Sequence, residues 1–260
     1  MKSKKVEKIY YSANQKLSKH YDEKWKRLLK LVWDGSFRYS LWKVIKISGK
    51  SFNQVLKFDL WEEVSKERSE VKRLDYYIHN LIDFRKLFYI EIVSKFCQEY
   101  NKMKLNNEYV VNGDITKLPF KKHSFDLIID FSTTDHIENK KLDSTFKKIN
   151  NSLKKHGIYI IYHLNNDYFN INDWNSGYST KFFPSFARSI DEIKQLLIKN
   201  NFTILDYEFF FPFFIDNTLF ISQRVKNMSW LIEKFFPRRL LYSFMNSRKL
   251  NILFYIIAKS

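Results

Sequence analysis

Residues 112–137 run Asn112-Gly113-Asp114-Ile115-Thr116-Lys117-Leu118-Pro119-Phe120-Lys121-Lys122-His123-Ser124-Phe125-Asp126-Leu127-Ile128-Ile129-Asp130-Phe131-Ser132-Thr133-Thr134-Asp135-His136-Ile137. Gly113-Asp114 closes the β-prone run Glu108 to Val111 and reads as a strand-ending turn. Asp126 to Asp130 carries Leu127-Ile128-Ile129 as a continuous apolar run, the pattern of a strand buried on both faces.

The same alternation extends in both directions. Gln54 to Trp61 is short and β-prone, and residues 62–82 are charged and then apolar at helical spacing. Lys86 to Ile92 reads as a second strand, followed by a helix to about Asn106. Leu142 to Leu153 is a helix, Lys154-Lys155-His156-Gly157 a turn, and Ile158 to Tyr162 a fifth strand. Ser189 is an N-cap with Glu192 completing a capping box, for a helix ending near Asn200-Asn201. Phe202 to Phe210 and Leu250 to Lys259 are the last two strands. Strands alternating with helices at this pitch predict a parallel sheet with right-handed crossovers.

The chain of 260 residues is long enough for one large core, and its 45% hydrophobic content argues against disorder. A net charge of +17 suits phosphate-bearing partners such as nucleotide sugars, nucleic acid or anionic lipid. A composition rich in Lys, Asn, Ile, Tyr and Phe with only 5 Gly yields the same charge with no functional meaning. Cys97 is the single cysteine, which excludes a disulfide framework and a cysteine metal site within one chain, and fits a buried thiol in a reducing cytoplasm. The six histidines (His20, His79, His123, His136, His156 and His163) have no metal-ligand spacing, so no metal is expected. The basic N-terminus lacks a following apolar segment and does not read as a signal peptide, and no run is long enough for a transmembrane helix.

Residues 1–50 read as a basic, helical N-terminal extension, with Trp25, Leu28, Leu29 and Val32 on one face and a stop at Asp34-Gly35-Ser36. Residues 211–249 form an aromatic and basic insertion within a domain spanning 51–260. Its stretch Met228 to Phe244 suits peripheral contact with an anionic membrane, and equally suits packing over the sheet with the basic groups solvated.

The 112–137 segment resembles the class I S-adenosylmethionine-dependent methyltransferase family in its Gly113-Asp114, Leu118-Pro119-Phe120, Ser124-Phe125-Asp126 and His136-Ile137, which occur in the family's order. Leu153 to Gly157 is similar to the family's turn before the fifth strand. The resemblance covers roughly residues 53–260 and implies an α/β fold: a Rossmann-like, mostly parallel seven-stranded sheet with helices on both faces and the last strand antiparallel. It implies S-adenosylmethionine as cofactor, with Asp114 and the Ile115 and Thr116 backbone at the adenine, Glu91 at the ribose hydroxyls and Ser132 beside the methyl group. Lys57-Phe58-Asp59-Leu60-Trp61-Glu62-Glu63 resembles a Lys-Thr-Asp-Leu-Phe-x-Glu motif of members from surface-polysaccharide pathways, in which Asp59 marks the cofactor loop. Phe58 departs from that motif, and no glycine occurs between Gly49 and Gly113, where the family pattern has a glycine-rich loop.

Ser132-Thr133-Thr134-Asp135-His136 resembles the Ser-Thr-Leu-Asp-His of the same members, and His136 or Asp135 is the candidate base toward an acceptor hydroxyl. Asn165-Asn166-Asp167 resembles the family's Asp-Asn segment after the fifth strand, which implies that Asn165 and Asn166 line the acceptor pocket. The expected function is methyl transfer to a sugar or glycolipid in polysaccharide biosynthesis, by a cytoplasmic protein that can lie at the inner face of the membrane. The missing glycines suit a second reading, a non-catalytic binding or scaffolding relative. Nucleic acid is not expected as a partner, because no RNA-binding module is present.

Overall fold

Strand β1 (Ser51–Phe58) shows how the sequence builds this sheet. Val55 and Lys57 project to one face while Leu56 and Phe58 project to the other, as the two-residue period of a strand requires, and all four are buried. A computed structural model describes residues 37–49, 51–64, 74–167, 186–212 and 251–260 of the chain. Within them, β1 is joined by β2 (Asp83–Glu91), β3 (Glu108–Asn112), β4 (Phe125–Phe131), β5 (Leu153–Leu164), β6 (Thr203–Pro212) and β7 (Asn251–Lys259). The sheet order is β3-β2-β1-β4-β5-β7-β6. The pairs among β1 to β5 are parallel, and β7 runs antiparallel to both β5 and β6. This is the expected Rossmann-like sheet.

Helices cover both faces. A helix over residues 37–48 (α1) places Phe37, Leu41 and Val44 in one core, with Tyr89, Phe131 and Tyr162 from the strands. Helices α2 (Trp61–Val64), α3 (Leu74–Leu81) and α4 (Ser94–Asn101) bring Tyr77, Ile78, Phe96 and Tyr100 to the same face. On the opposite face, α5 (Asn139–Ser152) buries Leu142, Phe146 and Ile149 at i, i+4 and i+7, and α6 (Ile190–Lys199) buries Ile190, Ile193 and Leu197. The capping box expected at Ser189 is present: its hydroxyl accepts from Glu192 N, and the Glu192 carboxylate accepts from Ser189 N.

Several boundaries differ from the sequence reading: β2 begins at Asp83 rather than Lys86, and α4 ends at Asn101 rather than near Asn106. β1 stops at Phe58, not Trp61, because Asp59 takes a left-handed φ of 57° that ends the extended ladder. The helix expected over 62–82 is seen as α2 and α3, with 65–73 outside the described residues. The turn Lys154 to Gly157 lies inside β5, opposite Asp126 alone. Gly157 is required there, since a Cβ would stand 2.9 Å from the Lys154 carbonyl oxygen and 3.1 Å from that of Phe125. The 1–36 part of the extension and the 213–249 part of the insertion also lie outside the described residues. Among the described residues no helix is long and apolar enough to cross a membrane, and no group of His, Cys, Asp and Glu could hold a metal ion.

Candidate active site

The strand order reverses at β1, whose neighbours are β2 on one side and β4 on the other. In open parallel sheets the crevice at such a switch point, beyond the carboxyl ends of the strands, is where ligands bind. Register brings the expected residues there. Phe58 pairs with Ile90 and Glu91 with Asn112, so Asp59, Glu91 and Asp114 follow one another along the rim. Lys57 pairs with Ile129, which puts Ser132 and Thr133 on the other side of the crevice.

Glu91 is buried, and its two carboxylate oxygens accept from the backbone N–H groups of Leu60 (2.8 Å) and Val93 (2.7 Å). Burial pushes its carboxyl up to about 7, and the nearby Asp59 charge pushes the same way against the two N–H donors. Asp59 is half-buried, and its carboxylate accepts from the Thr133 hydroxyl at 3.0 Å, a bond that spans the switch point. Asp114 is half-buried and receives Thr116 N at 2.8 Å, which forms an Asx-turn, while Ile115 packs beneath it in the second core. Gly113 N and the Asn112 side-chain amide both donate to the Glu91 carbonyl, tying the third strand end to the second.

The loop after β4 is held from below. Ser132 adopts φ 59°, and its hydroxyl donates to Asp135. Asp130 is fully buried and accepts from Thr133 N (2.9 Å), the Thr134 hydroxyl (2.7 Å) and the Tyr159 hydroxyl (2.7 Å). Burial raises the Asp130 carboxyl to about 6 and holds the Tyr159 phenol well above its usual value. A 3-10 turn over Thr134–His136 then separates two neighbours. Asp135 is fully buried and accepts from Leu164 N (3.2 Å) and lies 2.9 Å from His163 Nδ1, whereas His136 is only half-buried. Of the two candidate bases, Asp135 thus holds the loop, and His136 is the one with access to solvent.

Two residues here had been given no role. Arg188 is buried; its guanidinium donates to the Ile137 carbonyl (2.6 Å), the Asn139 side chain (2.7 and 2.9 Å) and His163 Nε2 (3.2 Å). A guanidinium only donates, so Nε2 accepts and the ring proton sits on Nδ1, facing Asp135 and the Leu164 carbonyl. The only sequence signals for this pair were a histidine ending a buried strand and an arginine beside an N-cap. Asn165 is fully buried and bridges Arg188, with its side chain accepting from Asp167 N, while Asn166 is half-buried and donates its N–H to the Arg188 carbonyl.

Residues 75–161, from α3 into β5, match the methyltransferase domain family. No curated protein sequence matches the chain. Among solved structures, the chain is similar to an S-adenosylmethionine-dependent methyltransferase from Mesorhizobium loti, at 12% identity over 87% of this chain and 99% of that one, with a TM-score of 0.57. A second, from Archaeoglobus fulgidus, is similar at 15% identity over 86% and 92%, with a TM-score of 0.55. The N-methyltransferase NodS from Bradyrhizobium japonicum, solved with S-adenosylhomocysteine, is similar at 11% identity over 97% and 98%, with a TM-score of 0.55. These likenesses show the fold. Residues 75–161 thus match a methyltransferase domain, and the chain has the fold of the class I S-adenosylmethionine-dependent methyltransferases. Domain and fold together indicate an S-adenosylmethionine-dependent methyltransferase.

Proposed function

We propose that the protein transfers a methyl group from S-adenosylmethionine to a hydroxyl of a sugar or glycolipid. The observation that carries the cofactor part is the convergence of Asp59, Glu91, Asp114 and Ser132 at the β1/β4 switch point. The residues fit the cofactor's chemistry. Each Glu91 oxygen accepts one backbone N–H and keeps a second lone pair for a ribose hydroxyl. Asp114 is turned back by its own Asx-turn, which leaves its second oxygen for an exocyclic amine.

Bound S-adenosylmethionine supplies a methyl group on a positively charged sulfur, and its transfer leaves that sulfur neutral. The chain's own task is then positioning, which can supply much of the rate, and removal of the acceptor proton. His136 is the base we assign, and Asp135 is a positioning residue that holds the 132–136 turn through Ser132, His163 and Leu164. The assignment of Asn165 and Asn166 to the acceptor pocket rests on the resemblance of the segment after β5. The hydroxyl acceptor and the polysaccharide context rest on the resemblance of the 132–136 and 57–63 segments. Contact of residues 211–249 with an anionic membrane belongs to the same reading.

One observation favours a second reading, a non-catalytic relative: the Thr133–Asp59 bond crosses the crevice that a cofactor must enter. Calorimetric titration of wild type and Asp114→Ala with S-adenosylhomocysteine separates the two. The enzyme reading predicts binding that weakens at least about tenfold in the variant, some 1.4 kcal/mol. Equal affinity in the two proteins would remove Asp114 from the site.

A further inference from the structure

Lys57 stands one residue before the end of β1, in its buried half, and is itself wholly buried. Its ammonium lies 3.0 and 3.1 Å from the two Glu63 carboxylate oxygens and 5.9 Å from the centre of the Tyr89 ring. It also donates to two backbone carbonyls, Phe58 O at 3.3 Å and Asp59 O at 2.9 Å. These are the carbonyls of the two peptide groups that flank Asp59. In a trans peptide the N–H points opposite to the C=O, and this chain has no cis bonds among the described residues. The N–H of the first peptide, on Asp59, donates to the Ile90 carbonyl at 2.9 Å, and that of the second, on Leu60, donates to Glu91 at 2.8 Å. Both peptide planes are therefore gripped at both ends.

The residue between them is left-handed, at φ 57°. That region is ordinarily given to glycine, because a Cβ crowds the following carbonyl there. Glycine is absent from this whole part of the chain. We infer that the buried Lys57–Glu63 pair, with Glu91, is a clamp that replaces a glycine turn: it holds Asp59 left-handed so that its carboxylate faces the cofactor crevice. Lys57 and Glu63 are positioning residues in this account, which rests on the cofactor reading above. The Asp59 carboxylate held this way already reaches Thr133 across the switch point, which shows where the clamp aims it.

The test uses the full chain. Lys57→Met alone breaks the buried pair from one side and can unfold the protein, whereas replacing both partners of a buried pair by apolar side chains is often neutral. The informative variant is therefore Lys57→Met with Glu63→Met. S-adenosylhomocysteine affinity by calorimetry and amide hydrogen exchange by NMR are compared with wild type. The clamp predicts a folded double variant that binds at least tenfold more weakly, with the amides of Asp59 and Leu60 exchanging at least tenfold faster and those of β5 unchanged. A folded double variant with wild-type affinity and wild-type protection at Asp59 and Leu60 would overturn the clamp and leave a purely structural ion pair. Absence of binding by wild type would instead take down the cofactor assignment, and the exchange of the Asp59 and Leu60 amides would still decide whether the clamp exists.

Discussion

Two neighbouring parallel strands, β1 and β4, end in the same unusual way and are held by different chemistry. Asp59 at one end and Ser132 at the other are both left-handed without being glycine, with φ of 57° and 59°. The β1 end is set by buried charge: Lys57, paired with Glu63, and Glu91 act on the peptide groups around Asp59. The β4 end is set by hydroxyls and amides around two buried carboxylates, Asp130 and Asp135. The Thr133–Asp59 bond joins the two. Strained backbone concentrates at functional sites when the surroundings over-determine it, and here both banks of one crevice are over-determined. A glycine-poor chain can thus build a cofactor rim, but each strand end then depends on several buried partners.

That dependence can be broken in graded steps. The largest loss is expected from Lys57→Met alone, about 3–5 kcal/mol in denaturant unfolding, because the buried Glu63 carboxylate loses its lysine partner. Recovery of most of that loss on adding Glu63→Met would confirm that the cost came from breaking the buried pair.

Next comes Glu91, through pH. Its folded carboxyl is raised to about 7 against an ordinary 4.5, so between those values the folded state holds a proton that the unfolded state has lost. This group's stabilising contribution is complete below about pH 4.5 and is lost as pH rises through 7, on the order of 3 kcal/mol. Glu91→Gln should flatten that part of the stability profile between pH 5 and 8 by roughly that amount. Identical slopes in the two proteins would show that Glu91 titrates normally.

On the β4 side, Asp135→Ala should cost about 2–3 kcal/mol, since it leaves Leu164 N and the Ser132 hydroxyl without their acceptor. Methyl transfer should fall with it, whereas His136→Gln should reduce kcat while leaving stability within about 0.5 kcal/mol. A His136→Gln enzyme with unchanged kcat would return the search for the base to other residues. The smallest effect belongs to the link itself. Thr133→Val should cost about 1 kcal/mol or less by removing one partly exposed hydrogen bond. It should also leave cofactor affinity equal or higher, and a large drop in affinity would mean that Thr133 touches the ligand.

The two strand ends also differ in how well they could be foreseen. The β3–β4 segment announces itself locally: Gly113-Asp114 turns, Leu127-Ile128-Ile129 is a doubly buried run, and both behave as their residue types suggest. The capping box at Ser189 was legible for the same reason. The β1 end was not. Alternation carried the expected strand on to Trp61, because nothing local shows that Asp59 turns left-handed. What turns it is a lysine two residues back, a glutamate from the next helix and a glutamate from the next strand, which meet only in the folded sheet. Likewise, Asp135 and His136 are adjacent in sequence, and only the 3-10 turn decides which of them is buried.

The central claim is that this rim, whose β1 and β4 ends are built without glycine, still receives S-adenosylmethionine. Calorimetric titration of the purified wild-type protein with S-adenosylmethionine tests it most directly. The account predicts one-site binding with a dissociation constant in the roughly micromolar range. A folded sample that takes up no ligand at about millimolar concentration would contradict it and leave the fold as a scaffold without its cofactor.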